Sequence, residues 1–135
     1  MKTRRFGYDG KGQVKLGATS NPKEIWESLG EKELILEGFV DFSHEISVIG
    51  SRSKDGQISC FDPGENVHKD GILRTTTVPA NLTTQQKTDA VLITAKILES
   101  LNYIGVIGVE FFVANSTLII NAVSYTHLTL PTKVT

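Results

Sequence analysis

Apolar residues recur at helical spacing in two stretches of this chain and crowd into short β-type runs elsewhere. In the longer helical stretch Thr83 stands three residues ahead of Gln86, the arrangement of a reciprocal N-terminal cap. Ala90, Val91, Ile97, Leu98 and Leu101 then fall on one helical face. The other stretch is short but well punctuated. Asn21 offers a capping side chain, Pro22 suits the first helical position, Ile25, Trp26 and Leu29 form an apolar stripe, and Gly30 stops the helix.

The β-type runs predict a mostly antiparallel sheet. The glycines of GYDGKGQ permit positive φ and Gln13 to Leu16 alternates polar with apolar, so the chain opens as a hairpin with a glycine-rich tip. Glu33 to Glu37 is a brief strand, His44 to Arg52 a longer one, and Lys54-Asp55-Gly56 turns the chain into a strand from Gln57 to Asp62. Pro63 to Asp70 reads as polar and irregular. Ile72 to Val78 is rich in β-branched residues and ends at Pro79. Tyr103 to Val113 and Thr117 to Asn121 flank the turn Ala114-Asn115-Ser116 and predict a terminal hairpin. The class is therefore α+β, with two main helices and no internal repeat.

Composition narrows the partners. The 135 residues, 39% of them hydrophobic, suffice for one modest core. Fourteen basic residues against fifteen acidic ones give a net charge of -1, which argues against nucleic acid or a membrane surface as a partner. Cys60 is the only cysteine, so there is no disulfide framework, and a reducing cytoplasm is expected. No stretch approaches the roughly 20 apolar residues of a membrane span.

Candidate chemistry gathers at a few positions. Lys2 to Gln13, KTRRFGYDGKGQ, combines three glycines with the cations Lys2, Arg4, Arg5 and Lys11, and so suits polyphosphate: amides freed at Gly7, Gly10 and Gly12 can cradle it while the cations neutralise it. It lacks the G-K-[ST] ending of a Walker loop, and a plain flexible turn is the alternative. Glu110 interrupts an apolar run, where an unmatched carboxylate costs several kcal/mol, roughly. A short hairpin places it opposite residues 120 to 122, about 5 Å away, where two acceptors can grip one Mg²⁺. A solvent-facing glutamate is the alternative there. Glu37 and Glu45 flank a strand and connector, Glu37-Gly38-Phe39-Val40, that could offer backbone groups to a purine and a carboxylate to ribose hydroxyls, while His68 lies in a polar segment where most histidines are simply solvated.

Taken in order, KTRRFGYDGKGQ, EGFVDFSHEISVIGSR, ENVHKDGILRTTTVPA, and GVEFFV followed by LIIN resemble successive segments of the 5-(carboxyamino)imidazole ribonucleotide synthetase family of ATP-grasp ligases, over about residues 1 to 121. The resemblance implies a partial ATP-grasp fold: residues 1–35 as part of the small subdomain with its glycine loop, and 36–122 as part of the large one. It implies ATP and Mg²⁺ as cofactors, with the family's ATP lysine at Lys2 and its glycine loop at Gly7, Tyr8, Asp9, Gly10, Lys11, Gly12 and Gln13. The base would meet Glu37, Gly38, Phe39 and Val40, the ribose Glu45, and the ATP site also His68 and Asn121. Glu110 matches the first metal-binding glutamate. The implied reaction carboxylates 5-aminoimidazole ribonucleotide with bicarbonate through carboxyphosphate, in a homodimeric parent enzyme. Another ATP-grasp carboxylase, a carboxylate-amine ligase and an inactive nucleotide-binding fragment stay open as alternatives.

After Asn121 the pattern breaks. Family members continue with a second metal-binding glutamate, whereas this chain has Ala122 and then VSYTHLTLPT, which looks like an in-frame translation of a sequencing-library adapter. Residues 123–135 are accordingly expected to be extraneous, with Ala122 the stump of a glutamate codon and ligase activity lost. Resequencing genomic DNA across this junction should return a glutamate codon at 122 and different codons beyond it; recovery of the same codons would contradict the expectation.

Overall fold

The computed structural model describes residues 1–4 and 12–124. Two compact units divide the chain: Met1–Phe39 with His68–Arg74, and Val40–Val67 with the residues from Thr75 onward.

In the first unit β1 (Lys2–Thr3) pairs antiparallel with β2 (Leu34–Ile35). The opening hairpin is present in its arms: the Thr3 amide donates to the Gly12 carbonyl at 2.7 Å and the Val14 amide to the Met1 carbonyl at 2.8 Å. Its tip, residues 5–11, lies outside the described residues. Helix α1 (Pro22–Ser28) follows its punctuation, with the Asn21 side chain accepting from the Lys23 amide at 3.1 Å and Gly30 at φ +81° just past its end. None of its residues is fully buried.

The main sheet is built on β3 (His44–Arg52), which pairs antiparallel with β7 (Gly105–Ala114) along its whole length, from His44 opposite Val113 to Arg52 opposite Gly105. β4 (Ile58–Cys60), β5 (Gly64–Lys69), β6 (Ile72–Thr77) and β8 (Thr117–Ser124) complete it in the order β6-β5-β3-β7-β8, with β4 also on β3. Helix α2 (Thr84–Ser100) covers one face. Its cap is the expected box: Thr83 Oγ1 accepts from the Gln86 amide, and the Gln86 side chain accepts from the Thr83 amide at 2.9 Å.

The core lies between α2 and this face, where Ile46, Val48, Ile107, Val109, Phe111, Ala90 and Leu98 have almost no exposed surface. At Gly50 the helix comes so close that a Cβ would stand 2.9 Å from Thr94 Cγ2 and 3.2 Å from Leu98 Cδ1. Thr94 is buried at no polar cost, because its hydroxyl donates to the Ala90 carbonyl at 2.8 Å. Leu101, expected on the buried face, is instead the exposed cap residue after the last turn.

Two further expectations need correction. Residues 63–70 are not irregular, since β5 pairs with β3 through Glu45 opposite Asn66 and Ser47 opposite Gly64. The buried positions of β5, Gly64 and Asn66, lie with Ser47 and Glu45 on the face away from α2, and the position beside Ile46 on the core side is Glu65, so no apolar alternation marks the strand. The last strand runs on past Asn121 to Ser124, and Val123 packs against the core. The turn before it has two residues, Asn115 and Ser116, both at positive φ (47° and 66°), the geometry that matches the twist of paired strands.

Thr83→Ala should cost about 1 kcal/mol by removing the cap. Leu98→Ala should cost about 3 kcal/mol by opening a cavity under α2. Urea unfolding of the chain checks both, and equal midpoints for the two variants would contradict this packing.

Candidate nucleotide site

The first unit carries a cleft of about 360 Å³ whose lining includes Lys2, Gln13, Lys15, Glu37, Gly38 and Phe39. Pairing of β1 with β2 fixes Lys2 opposite Ile35, two residues before Glu37, while a bridge from Lys2 to Gln13 brings in the other arm of the hairpin. Lys2 Nζ lies 2.8 Å from Glu37 Oε1. Lys15 Nζ stands 4.0 Å from the centroid of the Phe39 ring, which is 73% exposed. Gly38 has nothing within 4 Å of where a Cβ would sit, so its backbone borders open space. Two cations, a carboxylate and an open aromatic face are the groups a nucleotide needs: charge for phosphate, acceptors for hydroxyls and a surface for the base.

Of the residues singled out by sequence, Lys2, Gln13, Glu37, Gly38 and Phe39 thus share one cleft. Gly12 lies beside it as the acceptor of the Thr3 amide. Gly7, Tyr8, Asp9, Gly10 and Lys11 lie outside the described residues. His68 is exposed on β5 and groups with this first unit. Lys15 was not anticipated as part of a site, although its place in the alternating run Gln13 to Leu16 was the available signal.

The second unit holds the remaining residues. Glu45 and Glu110 lie on the sheet face away from α2, since their neighbours Ile46, Phe111 and Val109 point into the core. Ser47 is the direct partner of Glu110 and Phe112 that of Glu45, so the two carboxylates are diagonal neighbours on adjacent strands. Beside them Asn66 is buried with its Oδ1 accepting from Thr76 Oγ1 at 2.8 Å and Ser47 Oγ at 3.5 Å. This network was missed because its members are scattered over three strands. Val40 is half-buried at the start of this unit.

The partner of Glu110 across β8 is Ala122. Continuing the register from the turn would have paired Glu110 with Asn121, but a bulge between Glu110 and Phe111 shifts it by one residue. Asn121 becomes the extra, exposed residue, lying between the partners of Phe111 and Glu110. The expectation of a partner within 120 to 122 holds, while the pairing of two acceptors does not.

Cys60 and Asp55, which lie outside these sites, have displaced titrations. Burial pushes the Cys60 thiol up. The hydroxyl of Ser53, helped by the Gln57 amide, holds the Asp55 carboxyl below its usual range in the turn after β3.

An ATP-grasp domain matches residues 1–127. The chain belongs to the ATP-grasp family. It is 46% identical over 124 residues to an N5-carboxyaminoimidazole ribonucleotide synthase of Brucella melitensis, covering 90% of this chain and 34% of that protein. With the Escherichia coli protein of the same name it shares 37% over 121 residues, again 90% of this chain and 34% of the relative. Among solved structures, the N5-carboxyaminoimidazole ribonucleotide synthetase of Thermus thermophilus superposes with a TM-score of 0.81 at 33% identity, over 91% of this chain and 33% of that one. The Staphylococcus aureus synthetase complexed with ADP gives 0.79 at 33% identity, with the same coverage. This ATP-grasp chain therefore spans about a third of the length of the curated relatives it matches.

Among the described residues no group of three or more His, Cys, Asp or Glu side chains could hold a metal ion. Glu110 could supply one carboxylate to Mg²⁺, which would need its other ligands from phosphate and water, and Ala122 offers no side-chain ligand across the strand. Ala122→Glu should tighten Mn²⁺ binding at least tenfold, read by electron paramagnetic resonance. Without metal it should destabilise by up to about 1 kcal/mol through like charges placed opposite each other. Unchanged Mn²⁺ affinity would remove this pair from any metal site.

Proposed function

We propose that this chain is the nucleotide-holding part of an ATP-dependent ligase that carboxylates 5-aminoimidazole ribonucleotide with bicarbonate, in cytoplasmic purine biosynthesis. The observation that carries the reading is one cleft lined by Lys2, Glu37, Lys15 and Phe39 on a chain of the ATP-grasp family. Similarity to proteins named N5-carboxyaminoimidazole ribonucleotide synthase supports the substrate, and a relative's complex with ADP supports the nucleotide.

In this reading bicarbonate attacks the terminal phosphorus of ATP, giving carboxyphosphate and ADP. The amine of the imidazole ribonucleotide then takes the carboxyl group and releases phosphate. Most of the catalytic work is positioning and neutralisation of charge. Lys2 would leave Glu37 for phosphate oxygens, the freed Glu37 and the backbone of Gly38, Phe39 and Val40 would meet the base, and Glu45 the ribose. His68 and Asn121 would stand near the nucleotide, and the amides of the glycine loop would close over it. Glu110 would hold Mg²⁺, which when bound adds neutralising charge on the phosphates. We read the two subdomains as residues 1–35 and 36–122, and the complete enzyme as a homodimer. A specific observation favours a second reading, nucleotide binding without turnover: Ala122 stands where a partner carboxylate for Glu110 would be.

Calorimetric titration with ATP and Mg²⁺ tests the nucleotide site. Binding is expected, with Lys2→Met weaker by at least fivefold; equal affinities would exclude Lys2 from it. In a full-length protein carrying this segment, Glu110→Ala should lower turnover at least tenfold, about 1.4 kcal/mol of transition-state stabilisation. Unchanged turnover would take Glu110 out of the site, and an acceptor other than 5-aminoimidazole ribonucleotide would move the chain to another ATP-grasp ligase.

A further inference from the structure

Lys15 lines the cleft but has been given no role of its own in nucleotide binding. It is exposed, between the half-buried Val14 and Leu16, and its ammonium lies over the face of the Phe39 ring at 4.0 Å. Both residues line the same cleft as Lys2. The two lysines differ in how they are held. Lys2 is ion-paired with Glu37 at 2.8 Å, whereas Lys15 makes no ion pair among the described residues and has only the ring beneath it. A cation over an exposed aromatic face is held more weakly than a cation bonded to a phosphate oxygen. It also occupies the surface on which a planar base would stack.

The geometry points to Lys15 as a specificity-determining residue that exchanges the Phe39 ring for a phosphate oxygen when a nucleotide enters. The base takes the ring face that the ammonium vacates, and the ammonium follows the anion. A ligand must therefore bring both a ring and a phosphate to gain the full effect. A nucleoside can compete for the ring but gives the displaced cation nothing, and an inorganic phosphate leaves the ring uncovered. This rests on the nucleotide reading of the cleft and adds to it a residue which discriminates nucleotides from nucleosides.

Calorimetry with ATP and with adenosine separates the two ideas. For Lys15→Met, ATP binding should weaken at least fivefold while adenosine binds as tightly as before or more tightly, and Lys15→Arg should restore most of the ATP affinity. Circular dichroism of each variant should match the parent chain, since the side chain is exposed. Equal losses for ATP and adenosine, or no loss for ATP, would overturn the role of Lys15 while leaving the cleft a nucleotide site. A parent chain that binds neither ligand would overturn the nucleotide reading itself, and the role of Lys15 with it.

Discussion

The antiparallel pairing of β3 with β7 is the constraint on which the second unit depends. Nine consecutive partners tie the two strands, so one choice of register decides the side of every residue on both. Ile46, Val48, Ile107, Val109 and Phe111 are turned into the core under α2, and Glu45, Ser47 and Glu110 are turned away from it. A slip of one residue would bury the acids and expose the core, at a cost far larger than any single polar contact. Chemistry on the open face is therefore positioned by packing on the covered one. Gly50 and Thr94 show how tight that packing is, since even a methyl group at Gly50 would meet the helix.

In the first unit the positioning is polar and local. Two short strands and one bridge hold Lys2 between Gln13 and Ile35, and the ion pair with Glu37 then engages its charge. Exposed pairs of this kind contribute little to stability, about 0 to 1 kcal/mol. Such a contact is easily exchanged for a phosphate, as is the cation over Phe39. A cleft whose cations rest on weak internal partners can be ordered without ligand and still yield to one.

Much of this was legible in the sequence wherever a residue type has one strong local use. Asn21, Pro22 and Gly30 bound α1, Thr83 and Gln86 cap α2, and His44 to Arg52 alternates cleanly into core and open face. Legibility failed where tertiary contacts substitute for apolar side chains. β5 hides because its buried positions are Asn66, satisfied by Thr76, and Gly64, crowded by Thr76 Cγ2, both on the face away from α2, while Glu65 stands beside Ile46 on the core side. Thr94 reads as polar until its hydroxyl is seen returned to the Ala90 carbonyl. The bulge that moves Glu110 from Asn121 to Ala122 leaves no sign in a stretch of mixed apolar residues. Family resemblance supplied the candidate residues, and the register decided which of them meet.

That register can be measured directly. Interstrand nuclear Overhauser contacts of isotope-labelled chain in solution should link the backbone of Glu110 to Ser47 on one side and to Ala122 on the other, with Asn121 outside the ladder. Contacts from Glu110 to Asn121 in an unbroken ladder, or to a β3 residue other than Ser47, would contradict the account.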